Sequence, residues 1–189
     1  MTFPDAPRPD RHAYFMGIAL AVRRRADCTG NRVGAIVVKD RHIVSTGYNG
    51  TPEGLPNCSE GGCHRCANRA QYPSGTGYDL CICVHAEQNA LLAAARFGIA
   101  VEGSALYTTM RPCFGCTKEM LQARVDTVIY LHDWVHPDAG KQAEYERLQA
   151  HFRGGVHRLE MDDPEADWAV TTRRQVPVSM PDEIGHGAP

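Results

Sequence analysis

Residues 85–98 read HAEQNALLAAARFG and residues 105–123 read ALYTTMRPCFGCTKEMLQA. In the first stretch Ala86, Ala90, Ala93 and Phe97 recur at helical spacing until Gly98 stops the period, which predicts a helix with His85 and Glu87 at its start. In the second, Ala105 to Thr109 has the character of a buried strand, and Cys113 to Ala123 predicts a short helix entered through Pro112. Helix, strand and helix follow one another within forty residues. This alternation decides the fold class.

Working outward, Phe15, Ile18 and Val22 recur at three- and four-residue steps between His12 and Arg25, which predicts an amphipathic helix with its arginines in solvent. Val33 to Val38 and Ile43 to Tyr48 are extended runs joined by the polar turn Lys39-Asp40-Arg41-His42, a β-hairpin closed at Gly47 and Gly50. Thr51 to Tyr78 has no period, and the cysteine-rich insertion it belongs to spans 51–84. A structureless loop of this length requires a function or a metal staple. Val125 to Leu131 and Val156 to Leu159 read as further strands. Between them Asp138 to Phe152 reads as a helix with Tyr145, Leu148 and Phe152 on one face.

The fold expected is a three-layer α/β/α domain over residues 12–160 with a mixed sheet of about five strands. A flexible N-terminus, 1–11, precedes it. A mobile tail, 161–189, rich in acidic residues, proline and glycine, follows, with Trp168 able to dock it to the surface.

The chain has 189 residues, 43% of them apolar, and a formal charge of −2, which suits one core and no broad footprint for nucleic acid. No stretch approaches the about 20 apolar residues of a membrane span, and the first residues do not read as a secretory signal. A soluble, cytoplasmic protein is expected. In that setting eight cysteines point to metal binding rather than to a disulfide framework.

One imidazole, His85, and two sulfurs, Cys113 and Cys116, make a three-ligand zinc site that keeps its fourth position open, as a catalytic zinc requires. Cys113 and Cys116 lie about one helical turn apart at a helix N-terminus, which favours their anionic form. Glu87 stands close by without being a ligand, placed for acid–base work. The alternative is a structural zinc ribbon built on Cys113, Cys116 and another pair, with His85 satisfied in the core.

With His85-Ala86-Glu87-Gln88-Asn89-Ala90 and Pro112-Cys113-Phe114-Gly115-Cys116 in place, the chain resembles the cytidine deaminase superfamily. Within it, the similarity is to the deoxycytidylate (dCMP) deaminase family, including bacterial late-competence-type members. It runs from about His12 to Leu159 and takes in Val33-Gly34-Ala35 and Gly47-Tyr48-Asn49-Gly50. The resemblance implies hydrolysis of dCMP to dUMP and ammonia, with Glu87 moving the protons. A bound zinc lowers the pKa of water to about 7.

The resemblance further implies that Asn49 helps to hold the nucleotide; Ala86 is a second expected contact. Cys28 and Cys58 match positions where some members carry ligands for a second, structural zinc. Two of Cys63, Cys66, Cys81 and Cys83 would complete such a site, with His64 a further candidate and unligated thiols the alternative. Bacterial members of the family commonly carry a tyrosine-arginine pair where this chain has Asp133-Trp134-Val135. Trp134 can wall the pocket, but an arginine such as Arg32 or Arg111 must then meet the phosphate. A homo-oligomer as large as a hexamer, with nucleoside triphosphate regulation, is also implied. The rival classes are a deaminase of single-stranded nucleic acid, using Arg23 to Arg25, Arg65 and Arg69, and a zinc-bearing binding module.

Overall fold

The structure is a computed structural model that describes residues 8–171. Helix α1 (Arg11–Arg23) starts where the Asp10 side chain accepts a hydrogen bond from the Ala13 N–H at 2.9 Å, satisfying one donor of the first turn. Strands β1 (Gly34–Lys39) and β2 (His42–Tyr48) follow. Asp40 and Arg41 both take positive φ, 49° and 69°, the conformation a two-residue hairpin needs to match the twist of its strands. The insertion contributes only helical turns, at 58–60 and 69–71, and the four-residue helix α2 (His64–Ala67). Then come α3 (Ala86–Arg96), β3 (Ala105–Met110), α4 (Phe114–Gln122), β4 (Thr127–His132), α5 (Ala139–Gln149), β5 (Val156–Arg158) and α6 (Ala166–Ala169).

The five strands form one mixed sheet in the order β2-β1-β3-β4-β5. β1 is antiparallel to both its neighbours, and β3, β4 and β5 run parallel. Alternation along the strands separates two cores. Ala35, Val37, Leu106 and Val128 pack against Ala86 and Ala90 of α3 and Cys116 and Met120 of α4. On the other face Ile36, Val38, Tyr107 and Ile129 pack against Phe15, Met16 and Ala19 of α1. The three-layer arrangement expected from the alternation is therefore present.

Two glycines set how closely the layers approach. A Cβ at Gly34 would lie 2.3 Å from the Ala19 carbonyl oxygen, and one at Gly47 would lie 2.2 Å from the Ala86 carbonyl oxygen. Position 34 seats α1 and position 47 seats α3, which accounts physically for a glycine in each of the two hairpin motifs. Ser45 Oγ donates to the Ala90 carbonyl at 2.6 Å, and Asn89 Nδ2 donates to the Tyr48 carbonyl at 2.7 Å. These bonds fasten α3 to β2.

Three expectations are corrected. Arg23 does not face solvent: it is fully buried, and its guanidinium forms two hydrogen bonds, of 2.6 and 2.8 Å, to the Asp163 carboxylate. His132 Nε2 lies 2.6 Å from the same carboxylate. Packing consequently continues past 160: Ala166, Ala169 and Val170 are buried, and Thr171 donates to Asn31 Oδ1 at 2.8 Å. The sequence misses this because Asp163 reads as one more acid in a polar segment. Residues 172–189 of the expected tail, and 1–7 of the expected N-terminus, lie outside the described residues. Finally, α5 ends at Gln149, so Phe152 enters the core from the turn after the helix. No described helix is long and apolar enough to cross a membrane.

Burial alone would push the Asp163 carboxyl up, but the hydrogen bonds from Arg23 and His132 outweigh it and hold it down at about 2. A lowered folded-state value contributes stability that is complete above the ordinary carboxylate range and lost as pH falls from about 4 toward 2. Asp163→Ala removes both short bonds to a buried guanidinium, leaving it Glu165 at 3.5 Å, and is expected to cost about 3–5 kcal/mol in urea denaturation at neutral pH. The variant should also lose the wild type's steep acid dependence in that window.

Candidate active site and cysteine cluster

His85 caps α3 and Cys113 caps α4, so two helix N-termini present their first side chains to one point. Val84, just before His85, is paired with Gly50 through hydrogen bonds of 2.8 and 3.3 Å. The His85 N–H donates to Gln88 Oε1 at 2.9 Å, and Gln88 Nε2 donates to Glu119 Oε1 of α4 at 2.8 Å. This chain of contacts fixes one helix start against the other. His85 Nδ1 lies 3.3 Å from Cys113 Sγ and 3.4 Å from Cys116 Sγ, and the two sulfurs are 3.5 Å apart. Donors around a tetrahedral zinc, at about 2.0 Å for nitrogen and 2.3 Å for sulfur, stand about 3.5–3.8 Å from one another. The spacing and the donor set both fit zinc.

The Glu87 carboxylate is outside this three-donor group yet adjacent to it, with Oε2 3.6 Å from Cys116 Sγ. Thr108 Oγ1 on β3 donates to Oε1 at 3.4 Å. Glu87 is only 4% exposed, and that burial pushes its carboxyl pKa up, against a downward pull from His85. A carboxyl whose burial favours its protonated form is suited to holding a proton and handing it on. The hydrogen bond from Cys116 brings Cys113 down to about 4, against its burial and with help from His85. Burial would lower His85, but the Cys113 sulfur overcomes it and lifts the imidazole to about 9. A cation bound by these donors takes the place of the proton.

An aromatic group borders the sulfurs. Phe114 and Trp134 pack on Tyr145 with ring centroids 5.1 and 5.7 Å apart, and His136 lies 5.6 Å from Trp134. Tyr78 reaches this region from the insertion. Burial first, then the charges of Tyr145 and Cys113, push its hydroxyl up to about 12. Sequence reading singled out Trp134 but missed Tyr78, His136 and Thr108, because none sits in a motif or repeats with a period.

The other expected contacts are already engaged. Asn49 accepts from the Val33 N–H and donates to the Asn31 carbonyl, both at 2.8 Å, so its amide braces the loop before β1. Ala86 is fully buried at the start of α3. Arg32 lies over the Trp168 ring at 4.5 Å and donates to the Trp168 carbonyl. Arg111 donates to Gln149 Oε1 at 2.8 and 3.0 Å and pairs with Asp133 at 3.4 Å. Of the remaining arginines, Arg65 is bound to the Thr76 carbonyl and Arg69 to the Thr29 carbonyl. With Arg23 buried, the basic run loses its first member.

The six other cysteines converge. Cys28, Cys58, Cys66 and Cys83 form one group whose sulfurs all lie within 4.8 Å, and Cys63, Cys66, Cys81 and Cys83 form another. None of the eight cysteines is in a disulfide. His64 belongs to neither group and turns instead to Asn68 and Tyr72.

A mixed sheet with one helix on one face and α3 and α4 on the other, both pointing their N-termini at a His-Cys-Cys donor set, defines a cytidine-deaminase-like domain. The chain belongs to the cytidine and deoxycytidylate deaminase zinc-binding family, whose profile matches residues 9–132. It is 39% identical over 127 residues to the deoxycytidylate deaminase of Schizosaccharomyces pombe, a match covering 67% of this chain and 38% of the fungal protein. The chain thus matches well under half the length of that relative. It is 42% identical over 128 residues to the deoxycytidylate deaminase of Mycobacterium phage D29, covering 65% of this chain and 95% of the phage protein. Among solved structures, the dCMP deaminase of cyanophage S-TIM5 in complex with dCMP and dUMP superposes with a TM-score of 0.61 at 28% identity. That match covers 82% of this chain and 100% of the other.

Because Gly47 abuts the α3 backbone, with Ala90 N 2.4 Å from the place of a Cβ, a side chain there must lift the helix. Gly47→Ala is expected to cost about 1–3 kcal/mol in urea unfolding. It should also weaken zinc retention, read by competition with a chromogenic chelator, since His85 moves with the helix.

Proposed function

We propose that this protein is a zinc-dependent deaminase that converts dCMP to dUMP and ammonia in the cytoplasm. The observation that carries the reading is one geometry: three donor atoms within 3.5 Å of one another beside a buried carboxylate 3.6 Å from one of them that is not itself a donor. Its arrangement suits hydrolysis rather than a closed structural centre. The matched family is a zinc-binding one, and the likeness to proteins named as dCMP deaminases supports dCMP as the substrate read here. Eight free cysteines suit a reducing compartment.

In this proposal His85, Cys113 and Cys116 hold the zinc, which when bound acts as a Lewis acid that makes water acidic enough to attack at neutral pH. Glu87 takes a proton from the water and delivers it to N3 of the cytosine ring, leaving C4 electrophilic. A C4–O bond forms, Glu87 moves the remaining proton of that hydroxyl to the exocyclic amine, and the C4–N bond breaks to release ammonia as the C4 carbonyl forms. Thr108 keeps the Glu87 carboxylate oriented. Asn49, Ala86 and Trp134 are proposed to line the base and sugar. Arg32 or Arg111 is proposed to meet the phosphate, which requires it to give up Trp168 or Asp133 as its partner. The six remaining cysteines are proposed to hold structural metal that staples the insertion.

The assembly is proposed to be a homo-oligomer, as large as a hexamer and responsive to a nucleoside triphosphate. α3 and the residue that ends it leave Leu92 and Phe97 exposed at 60% and 74%, as a surface awaiting a neighbouring copy would. Light scattering with and without the triphosphate reads the mass; an unvarying monomer rejects this part.

Ammonia release measured side by side on dCMP, deoxycytidine, cytosine and single-stranded DNA should be fastest on dCMP, and turnover confined to the polymer would reverse the reading. Glu87→Gln is expected to keep its zinc and to lose about 10²–10⁴-fold in kcat. Full activity in that variant would remove Glu87 from the mechanism.

A further inference from the structure

We propose that Cys28, Cys58, Cys63, Cys66, Cys81 and Cys83 form a binuclear zinc–thiolate cluster in which Cys66 and Cys83 bridge two metal ions. Cys28 and Cys58 complete the first ion's tetrahedron, and Cys63 and Cys81 complete the second. The proposal is independent of the catalytic reading, since none of these six sulfurs belongs to the His85, Cys113 and Cys116 set.

The geometry is that of two tetrahedra sharing an edge. The two four-sulfur groups have Cys66 and Cys83 in common, and those two sulfurs are 4.0 Å apart. Around them Cys28 to Cys66 is 3.9 Å, Cys66 to Cys81 is 3.9 Å and Cys63 to Cys81 is 3.8 Å. Four sulfurs at about 2.3 Å from one zinc stand about 3.8 Å from one another. A disulfide would bring a pair to about 2.05 Å. One ion in either group accounts for four sulfurs and leaves the other two packed into the same knot without a role.

Ordinary apolar packing does not explain the knot. Its buried residues are all cysteines, five of them, with Cys81 at the margin. The same segment leaves Leu55, Leu80 and Ile82 exposed at 50%, 54% and 40%. A small hydrophobic core would bury the larger aliphatic side chains first, because each removes more apolar surface from water than a thiol does. Here the chain does the reverse. The surroundings also favour thiolates: the Gly30 N–H donates to Cys28 Sγ at 3.3 Å and the Thr29 N–H donates to Cys58 Sγ at 3.5 Å. Two divalent ions and six thiolates carry the same net charge as one ion and four thiolates, so the second metal adds no electrostatic cost. It also explains how a segment with only helical turns of three or four residues holds one conformation.

The test is metal counting on the full chain, saturated with zinc, by native mass spectrometry and elemental analysis. About three zinc ions per chain are expected, and two should remain in Cys113→Ser, which disables the other centre. Cys63→Ser with Cys81→Ser should remove one ion and retain the rest. Should these variants fail to fold, wild-type protein loaded with NMR-active cadmium decides the matter: two all-sulfur resonances with mutual coupling through shared sulfurs are expected. One all-sulfur resonance, two uncoupled ones, or a single ion remaining in Cys113→Ser overturns the cluster. None of these readouts depends on turnover, so a missing dCMP activity leaves the cluster intact and a missing cluster leaves the deaminase reading intact.

Discussion

Three donor atoms on two separate helices must meet within about a bond length of a common point, and most of the structure serves that demand. Neither helix could satisfy it alone. β3, paired in parallel with β4, carries the chain to Cys113 just past its end, and the antiparallel β2 gives α3 a surface on which to lie. Contacts from Ser45 and Asn89, together with the Gln88 to Glu119 bond, then remove the freedom the helix starts would otherwise retain. Burial of Glu87 follows from the same packing, because α3 turns that position toward β3 and Thr108. The electrostatics of the site are thus a product of how closely the layers stack.

Much of this was legible in the residues. The alternation of strands with helices, each recognised from its apolar run or period, gave the layers. Side chains at the starts of α3 and α4 were legible because helix N-termini combine a local sequence signal with a defined direction. What the sequence could not show was contact across long separation without periodicity. Arg23 lies within a run of three arginines and reads as solvated, while its partner Asp163 lies 140 positions away. The approach of Tyr78 to Cys113 and Tyr145 is likewise a tertiary fact, carried by an insertion without regular structure. For the cysteines, spacing named all six candidates, but not that two belong to both groups.

The insertion contrasts with the layered core in how it is held. In the sheet, β1, β3 and β4 are each fixed by a strand on either side and by two apolar faces. Between 51 and 83, backbone hydrogen bonds close mostly short turns, and longer-range order comes from the sulfurs, from the Cys58 N–H donating to Asp27, from Thr29 on the Cys66 carbonyl and from Arg69 on the Thr29 carbonyl. Such a segment can accept changes in length and in exposed residues, provided its cysteines keep their places.

Only Val84 separates Cys83 from His85, and two residues of extended chain reach no further than about 7 Å. The sulfur knot and the nitrogen donor are accordingly hitched to one short tether, pinned midway by Gly50. Neither can drift without tugging on the other. Oxidation of the knot would reach the neighbouring centre as a mechanical pull, with no need for the reagent to enter it.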